Sequence, residues 1–213
     1  MGEAELEFRK KPSQERSREL VEWIIEAAAR VVQRDGYEGL TTNHIAEEAG
    51  VSIGSVYQYF ATKDAVVAEL TRRHVEDGLG RFRSVFDLWR TDPPSDLASA
   101  VRALVQLSID VNDPSRLHGA LYDRAAVNTA AELAAATFRA EAVAGVSTLL
   151  SYFEAGGEHP ARVAELLVSS TWATVHEVIL AQPNEKARAA AVDEWVILVT
   201  AGLSLRREAR AVE

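Results

Sequence analysis

The sequence contains no cysteine, which excludes disulfide bridges, thiolate nucleophiles and cysteine-ligated zinc. It also has no run of about 18 uninterrupted apolar residues, the length that a helix needs to cross a bilayer. Residues 1–11 are charged and lack the apolar segment of a secretory signal. These absences predict a soluble intracellular protein that does not insert into a membrane.

Strand signals are scarce as well. Only 12 of the 213 residues are glycine and six are proline, and few segments alternate apolar and polar residues as strands do. Apolar residues recur instead at helical spacing and make up 47% of the chain, enough for a sizeable core. Turn-forming residues divide the chain into about nine helices. The sequence therefore predicts an all-α protein.

Enzyme signatures are missing too. The sequence has no nucleophile-elbow motif, no glycine-rich phosphate-binding or dinucleotide-binding loop and no zinc-protease motif. None of its five histidines has an acidic residue three positions before it, as helical di-iron centres require. We therefore expect no catalytic residues, no metal site and no cofactor.

The charge of the chain is acidic overall but unevenly distributed. A net charge of −9 argues against a nucleic-acid partner, because phosphate binding needs a cationic surface. However, five of the 23 basic residues lie close together near the N-terminus: Arg9, Lys10, Lys11, Arg16 and Arg18. This segment is either a solvated tail or a basic arm that binds an anionic partner.

Residues 41–60 carry the most informative pattern. A short predicted helix ends at Gly50, which tolerates the positive φ of a tight turn, and a second short helix begins at Ser52. Two short helices joined by such a turn form a helix-turn-helix. We expect a first helix over residues 14–34 and a fourth helix that begins at Lys63 to complete its core. The glycines at positions 78 and 80 predict a break in that fourth helix.

The second short helix has small and polar side chains, which a helix needs at its N-terminal end to enter the major groove of DNA. On this reasoning Gln58 reads a base edge. Four other side chains suit phosphate contacts: Thr42, Tyr57, Tyr59 and Lys63. The alternative is a helical corner whose tyrosines belong to the core.

Residues 18–78 closely resemble the DNA-binding domain of the TetR family of transcriptional regulators. The resemblance rests on three runs: Gly36–Thr42, Ile45–Ser52 and Val56–Asp64. It implies DNA contacts at Thr42, Ser52, Gly54, Ser55, Tyr57, Tyr59 and Lys63. Ile53 stands where a polar or basic residue is usual, which predicts contact with a thymine methyl group. Ile53 and Gln58 complete the predicted DNA-binding set.

The resemblance also implies three regions: a flexible basic arm over 1–17, the DNA-binding domain over 18–78, and a helical effector-binding and dimerisation domain over 79–213. Candidates for the effector pocket are apolar or amphipathic: Phe86, Trp89, Leu104, Leu107, Tyr122, Phe138, Trp172 and His176. Taken singly, each of them fits an ordinary core position better than a ligand contact.

The last two long helices of such proteins pair with a second subunit. Small or apolar residues at helical spacing are the candidates for this homodimer interface: Ser169, Ala173, Leu198, Ala201, Gly202 and Leu205. The alternative is an internal face of a monomer.

The function implied by the resemblance is a repressor that leaves a palindromic operator when a small, largely apolar effector binds the C-terminal domain. Such a protein is bacterial and cytoplasmic, and is associated with the nucleoid while it is bound to DNA. A different class of function is open for residues 81–213, which equally fit a helical carrier or scaffold that binds an apolar molecule without DNA. Residues 9–63 favour the DNA-binding interpretation.

Overall fold

The computed structural model describes Arg9, residues 14–112 and residues 129–211, with side chains from 136 to 207 in the last range. This described part of the chain forms eight α-helices and no β-strand, which confirms the all-α prediction. None of its helices is long and apolar enough to cross a membrane. Tyr122, a predicted pocket residue, lies outside the described residues, as do Lys10 and Lys11 of the predicted arm.

The helices follow one another through the whole described chain. In order they are α1 (Glu15–Gly39), α2 (Thr42–Ala49), α3 (Ile53–Tyr59), α4 (Lys63–Trp89), α5 (Leu97–Asn112), α6 (Thr129–Tyr152), α7 (Pro160–Ala173) and α8 (Glu185–Ala211). A π-helical segment, Thr174–Ile179, directly continues α7.

Short-range signals set the ends of the first helices. Gly36 has a φ of 70°, which interrupts α1 just where the sequence predicts its end. The side chain of Thr41 accepts a hydrogen bond from the backbone N–H of His44 and caps α2. Gly50 ends α2 in the left-handed conformation, and the Ser52 side chain then caps α3. The helix-turn-helix over residues 41–60 is therefore present.

α4 contradicts one expectation of the sequence. A break near Gly78 or Gly80 is predicted, but the helix continues without interruption to Trp89. Gly78 serves close packing instead, because a Cβ atom there would lie 2.8 Å from Cγ1 of Val111 on α5. A glycine inside a helix can thus mark a close contact rather than an end.

The chain divides into two compact units, and the boundary falls within α4. The first contains residues 14–77 and 129–136, and the second contains residues 78–112 and 137–211. In the first unit, α1, α2, α3 and the beginning of α4 bury one apolar cluster that includes Ile24, Val31, Leu40, Ile45, Val56, Phe60 and Val66. Each such side chain contributes about 1.5–3 kcal/mol by leaving water, so this core holds the two short helices in place.

The second unit has two apolar clusters that meet on α8. One joins α5, the π-helical segment and α8 through Val105, Ile109, Val175, Ile179, Val192 and Val196. The other joins α6, α7 and α8 through Leu150, Val163, Ala164, Val199 and Leu203. α8 therefore has an inner face that is covered by its own chain.

Candidate functional site

α3 has one face in the core and one face in solvent. Val56 and Tyr59, three positions apart on the same side of the helix, are buried in the core of the first unit. The opposite side and the N-terminal end are exposed, and we call these residues the α3 face: Ser52, Ile53, Gly54, Tyr57 and Gln58. The side chain of Tyr57, for example, is 42% exposed. The anchored helix thus presents a small, mostly polar surface.

Gly54 leaves the backbone of α3 uncovered at this face. A Cβ atom placed there would have as its nearest neighbour the Oγ atom of Ser52 at 3.7 Å, an ordinary van der Waals distance. Internal packing therefore does not require a glycine at this position. The missing side chain allows a partner surface to approach the helix backbone closely.

Hydroxyl groups connect the elements around this face. The hydroxyls of Thr42 on α2 and Tyr57 on α3 are 3.1 Å apart and form a hydrogen bond. The Oγ atoms of Ser52 and Ser55 are 2.8 Å apart, and Ser52 also accepts from the backbone N–H of Ser55. Because Ser55 is half-buried and bonded to the cap, the exposed hydroxyls of the pattern are those of Ser52 and Tyr57.

Two predicted phosphate contacts are engaged within the protein. Tyr59 is only 4% exposed and belongs to the core, as the alternative interpretation of the tyrosines proposed. The Lys63 ammonium group donates to the carbonyl of Leu40 at 3.1 Å and to that of Tyr37 at 3.4 Å. It also lies 4.2 Å from the centroid of the Tyr37 ring. Lys63 therefore links α4 to the segment between α1 and α2.

Ion pairs neutralise arginines next to the helix-turn-helix. Arg30 of α1 pairs with Glu48 of α2 at 2.8 Å, and Arg34 pairs with the same carboxylate at 3.1 Å. Hydrogen bonds from Arg30 and then Arg34 hold the pKa of Glu48 below its ordinary value. These pairs fix α2 against α1, and they leave little net positive charge on that side of the unit.

Two arginines near the N-terminus are available to an anionic partner. Arg16 and Arg18, in the first turn of α1, form no ion pair within the part of the chain that the structure describes. The backbone N–H of Arg9 donates to the carbonyl of Tyr59 at 2.8 Å. This bond attaches the basic segment to the C-terminal end of α3.

The second unit contains an inner cavity of about 80 Å³. Its lining is apolar except for the hydroxyls of Ser108 and Thr171, so it offers few polar contacts to a ligand. It brings together four of the predicted pocket residues: Phe86, Leu104, Phe138 and Trp172. Leu107 and His176 do not line it, and Trp89 lies elsewhere.

An outer groove of about 730 Å³ lies beside the cavity, between the end of α4 and α6. Trp89 and Tyr152 form part of its apolar wall. Its charged groups include Arg83 and Glu141, which form an ion pair, and also Asp87 and Arg90. The groove is thus more polar than the inner cavity.

His176 supports a cavity residue rather than lining the cavity. Its ring stacks on that of Trp172 with 4.2 Å between the centroids, and its Nδ1 atom lies 2.7 Å from the Trp172 carbonyl oxygen. Burial lowers the pKa of His176 below its ordinary value, although the contact with that carbonyl opposes the shift. The π-helical segment places this histidine one turn after the tryptophan.

The outer faces of α7 and α8 carry exposed apolar side chains. On α8, Leu198 and Leu205 are exposed, and so are Ala201 and Gly202 between them. On α7, Leu166 is exposed on the same side as the half-buried pair Ser169 and Ala173, at spacings of three and seven residues. We call these seven residues the outer face of α7 and α8.

The N-terminal unit matches a known family. Residues 24–70 match the family model of bacterial regulatory proteins, tetR family. Residues 24–70 are therefore a TetR-type segment. The HTH-type transcriptional repressor KstR2 of Rhodococcus jostii (strain RHA1) is 28% identical over 99 residues, which are 46% of this chain and 46% of the repressor. The match therefore spans less than half of that relative.

Similar solved structures extend over most of the chain. A transcriptional regulator from Rhodococcus sp. RHA1 has a TM-score of 0.65 at 24% identity, covering 85% of this chain and 96% of that one. The multidrug binding protein EbrR, complexed with imidazole, has a TM-score of 0.55 at 27% identity and covers 85% and 95% of the two chains. The similarity of fold therefore extends to the C-terminal helices.

Sequence reasoning missed most residues of the cavity in the second unit. Leu167, Val168 and Leu203 line it, but nothing in their spacing separates them from other core residues. It also missed the bond between Arg9 and Tyr59, because a backbone hydrogen bond between distant segments leaves no sequence signal. No group of three or more acidic or histidine residues suited to a metal ion occurs in the described ranges.

Proposed function

We propose that this protein is a homodimeric transcriptional repressor that binds a palindromic operator and releases it when a small, largely apolar effector binds. The observation that carries the proposal is the α3 face, which combines exposed Gln58 and Tyr57 with an open backbone at Gly54. A helix that enters the major groove needs this combination of close backbone approach and hydrogen-bonding side chains.

Phosphate contacts are distributed around that face. Ser52 supplies a hydroxyl group, and Tyr57 supplies a phenol that Thr42 orients. The basic segment, attached at Arg9, supplies the charge that the acidic first unit lacks. Ile53 meets a thymine methyl group. Affinity for DNA therefore depends on the basic segment and specificity on the α3 face.

The outer face of α7 and α8 is the proposed dimer interface. Leu198 is 64% exposed, an unusual position for a large apolar side chain unless a partner covers it. At Gly202 a Cβ atom would meet nothing within 4 Å, so a second helix can approach closely there. A second copy of this chain is the proposed occupant, because a two-fold dimer sets two α3 helices about 34 Å apart, as a palindromic site requires.

The inner cavity and α4 supply the proposed response to effector. The cavity is almost entirely apolar, and EbrR, which has a similar fold, is a multidrug binding protein. α4 contributes Val66 and Val67 to the first core and Phe82 and Phe86 to the cavity wall. Moving α4 would change the spacing of the α3 helices. A shift from 99% to 1% DNA-competent protein needs about 10⁴-fold tighter effector binding to the released state.

The decisive experiment measures DNA binding by the full chain. Fluorescence anisotropy follows labelled duplexes from the region upstream of its own coding sequence, at several salt concentrations and with excess non-specific competitor. We expect binding that resists the competitor and weakens steeply with salt, because it releases counterions from phosphates. If that region lacks the site, selection from a random duplex pool supplies the ligand.

The outcomes separate the two classes of function. A palindromic consensus selected from the pool supports a dimeric, site-specific DNA-binding regulator. Failure to enrich any duplex above non-specific binding, together with retained binding of apolar molecules, indicates the helical carrier instead. Replacing Arg16 and Arg18 together by Ala tests the electrostatic part, and we expect the affinity for all duplexes to fall.

A further inference from the structure

The inner cavity and the outer groove are separated by one wall. Their linings share four residues: Phe82, Phe86, Ala142 and Leu149. A row of aromatic contacts crosses this wall. The Phe86 ring lies edge-on to Trp89 of the groove at 6.1 Å, and the Phe82 ring lies edge-on to Phe138 of the cavity at 5.1 Å. Aromatic side chains therefore form part of this wall.

Phe86 occupies its place in the wall because residue 145 has no side chain. An ideal Cβ atom at Gly145 would lie 2.5 Å from Cε2 and 2.6 Å from Cδ2 and Cζ of the Phe86 ring. The ring therefore rests directly on the backbone of α6. Phe86 is only half-buried, and it lines the groove as well as the cavity.

The size of the two spaces shows why the wall matters. The inner cavity, about 80 Å³, is smaller than the roughly 150 Å³ cavity that holds one benzene molecule in an engineered protein. Typical small-molecule sites measure about 300–1,000 Å³. The groove, at about 730 Å³, falls in that range. The cavity alone is therefore too small for a ligand of ordinary size, and the groove across the wall offers the additional space.

We propose that Phe86 is a gate, and that the effector is an elongated amphipathic molecule that occupies both spaces when the ring turns aside. Its apolar, aromatic body lies in the inner cavity, where Ser108 and Thr171 offer single hydrogen bonds. Its polar end lies in the groove beside Arg83 and Glu141. The gate and the two-part site do not depend on the proposed function. Only the identification of the ligand as an effector rests on it.

Stopped-flow binding of N-phenyl-1-naphthylamine tests the gate. This neutral aromatic amine fluoresces in apolar surroundings and is excited by energy transfer from tryptophan. In the wild-type protein we expect an observed rate that saturates with probe concentration, because opening of the ring limits entry. In Phe86→Ala the rate should rise linearly with probe concentration and exceed the wild-type plateau by about tenfold, the factor that a barrier lower by about 1.4 kcal/mol gives.

Gly145→Ala provides a second route to the same result. Its methyl group displaces the Phe86 ring from the wall, so entry should again be fast, and the double variant with Phe86→Ala should add no further acceleration. Leu88→Ala, on the exposed side of the same helix, and Gly80→Ala, with nothing within 4 Å of its Cβ position, are the matched controls and should behave as wild type.

Val168→Phe tests the occupied space, because it fills the inner cavity without touching the groove. Weakened probe binding in this variant supports the two-part site. Unsaturated wild-type kinetics, unchanged rates in both Phe86→Ala and Gly145→Ala, unchanged affinity in Val168→Phe, or no probe binding by any variant would overturn the proposal. DNA anisotropy of the same samples tests the proposed function separately, since these variants leave the α3 face intact.

Discussion

The ammonium group of Lys63 donates a hydrogen bond to the backbone carbonyl of Leu40 over 3.1 Å. Leu40 is the residue between α1 and the cap of α2, and Lys63 is the first residue of α4. The bond therefore closes the helix-turn-helix at its base, where three helices meet. A residue expected to hold a phosphate is also part of what holds the DNA-binding unit together.

Replacing Lys63 by Ala should affect both stability and DNA binding. We expect the free energy of unfolding to fall by about 1–2 kcal/mol, because two hydrogen bonds to carbonyls and the contact with the Tyr37 ring are lost. If the same ammonium group also meets a phosphate, the slope of log affinity against log salt falls by about 1. Urea unfolding and anisotropy measure the two effects. Lys186→Ala, at an exposed lysine of α8, should change neither.

Gly54→Ala should separate folding from DNA binding. The methyl group has room, so stability should be unchanged or rise by up to about 1 kcal/mol from better helix propensity. Affinity for the operator should nevertheless fall by about tenfold or more, because a methyl group overpacks a close backbone contact at a cost of about 1–3 kcal/mol. Gly80→Ala, another helical glycine with open space, should gain the same stability and keep full affinity. Equal affinities for both variants would refute the close approach.

Gln58→Ala should relax sequence preference without weakening general DNA affinity. The side chain is exposed on the α3 face, and one bidentate base contact accounts for about 1–3 kcal/mol of discrimination. Competition between the operator and duplexes substituted at single base pairs measures this loss. The loss should be confined to one symmetry-related pair of positions. A uniform drop for every duplex would assign Gln58 to the phosphate backbone instead.

Leu198→Glu should prevent dimer formation. A carboxylate at this exposed position of α8 would be buried against the partner without a counter-charge, which is unfavourable by several kcal/mol. Analytical ultracentrifugation should show monomers that fold normally and bind a palindromic duplex only weakly. Leu88→Glu, at a residue of α4 that is 57% exposed, is the control and should remain dimeric. A wild-type protein that sediments as a monomer would contradict the interface itself.

Glu69 should make the first unit sensitive to acid. It is 7% exposed and accepts hydrogen bonds from Arg72 and Arg73 at 2.7 Å. Burial raises the pKa of Glu69, but the two arginines lower it by more, so the folded-state pKa lies below the ordinary 4.5. Between the folded-state pKa and the unfolded-state pKa of about 4.5, the unfolded chain binds more protons than the folded one. The free energy of unfolding therefore decreases as the pH falls below about 4.5.

The matched variants for this test are Glu69→Gln and Glu47→Gln, the latter at an exposed carboxylate of α2. The first should lower the free energy of unfolding at neutral pH by about 1–3 kcal/mol and flatten its dependence on acid pH, since two arginines lose their shared partner. The second should leave both unchanged. Urea unfolding at a series of pH values measures both effects. A Glu69→Gln variant as stable as wild type at neutral pH would contradict the role assigned to Glu69.

Parts of the site followed from local sequence because local interactions create them. The caps at Thr41 and Ser52 and the turn at Gly50 each depend on residues within four positions, so their side chains alone fix where α2 and α3 begin and end. The start of α3 also determines which of its residues lie on the α3 face, because residues three or four positions apart share one side of a helix. The predicted break of α4 was wrong because a single glycine permits either a helix end or close packing, and only Val111 on another helix decides between them.

Sequence by itself determined the all-α class, the helix-turn-helix and its TetR-type character, since periodicity, caps and a contiguous motif suffice for these. Tertiary structure decided which side of α3 holds Tyr59, where the Lys63 ammonium group bonds and which of many apolar residues surround a cavity. The physical reason is range. Burial and hydrogen bonding to carbonyls on other helices depend on neighbours that are distant in sequence. An apolar residue looks the same in the sequence whether it lies in a core, lines a cavity or belongs to an interface.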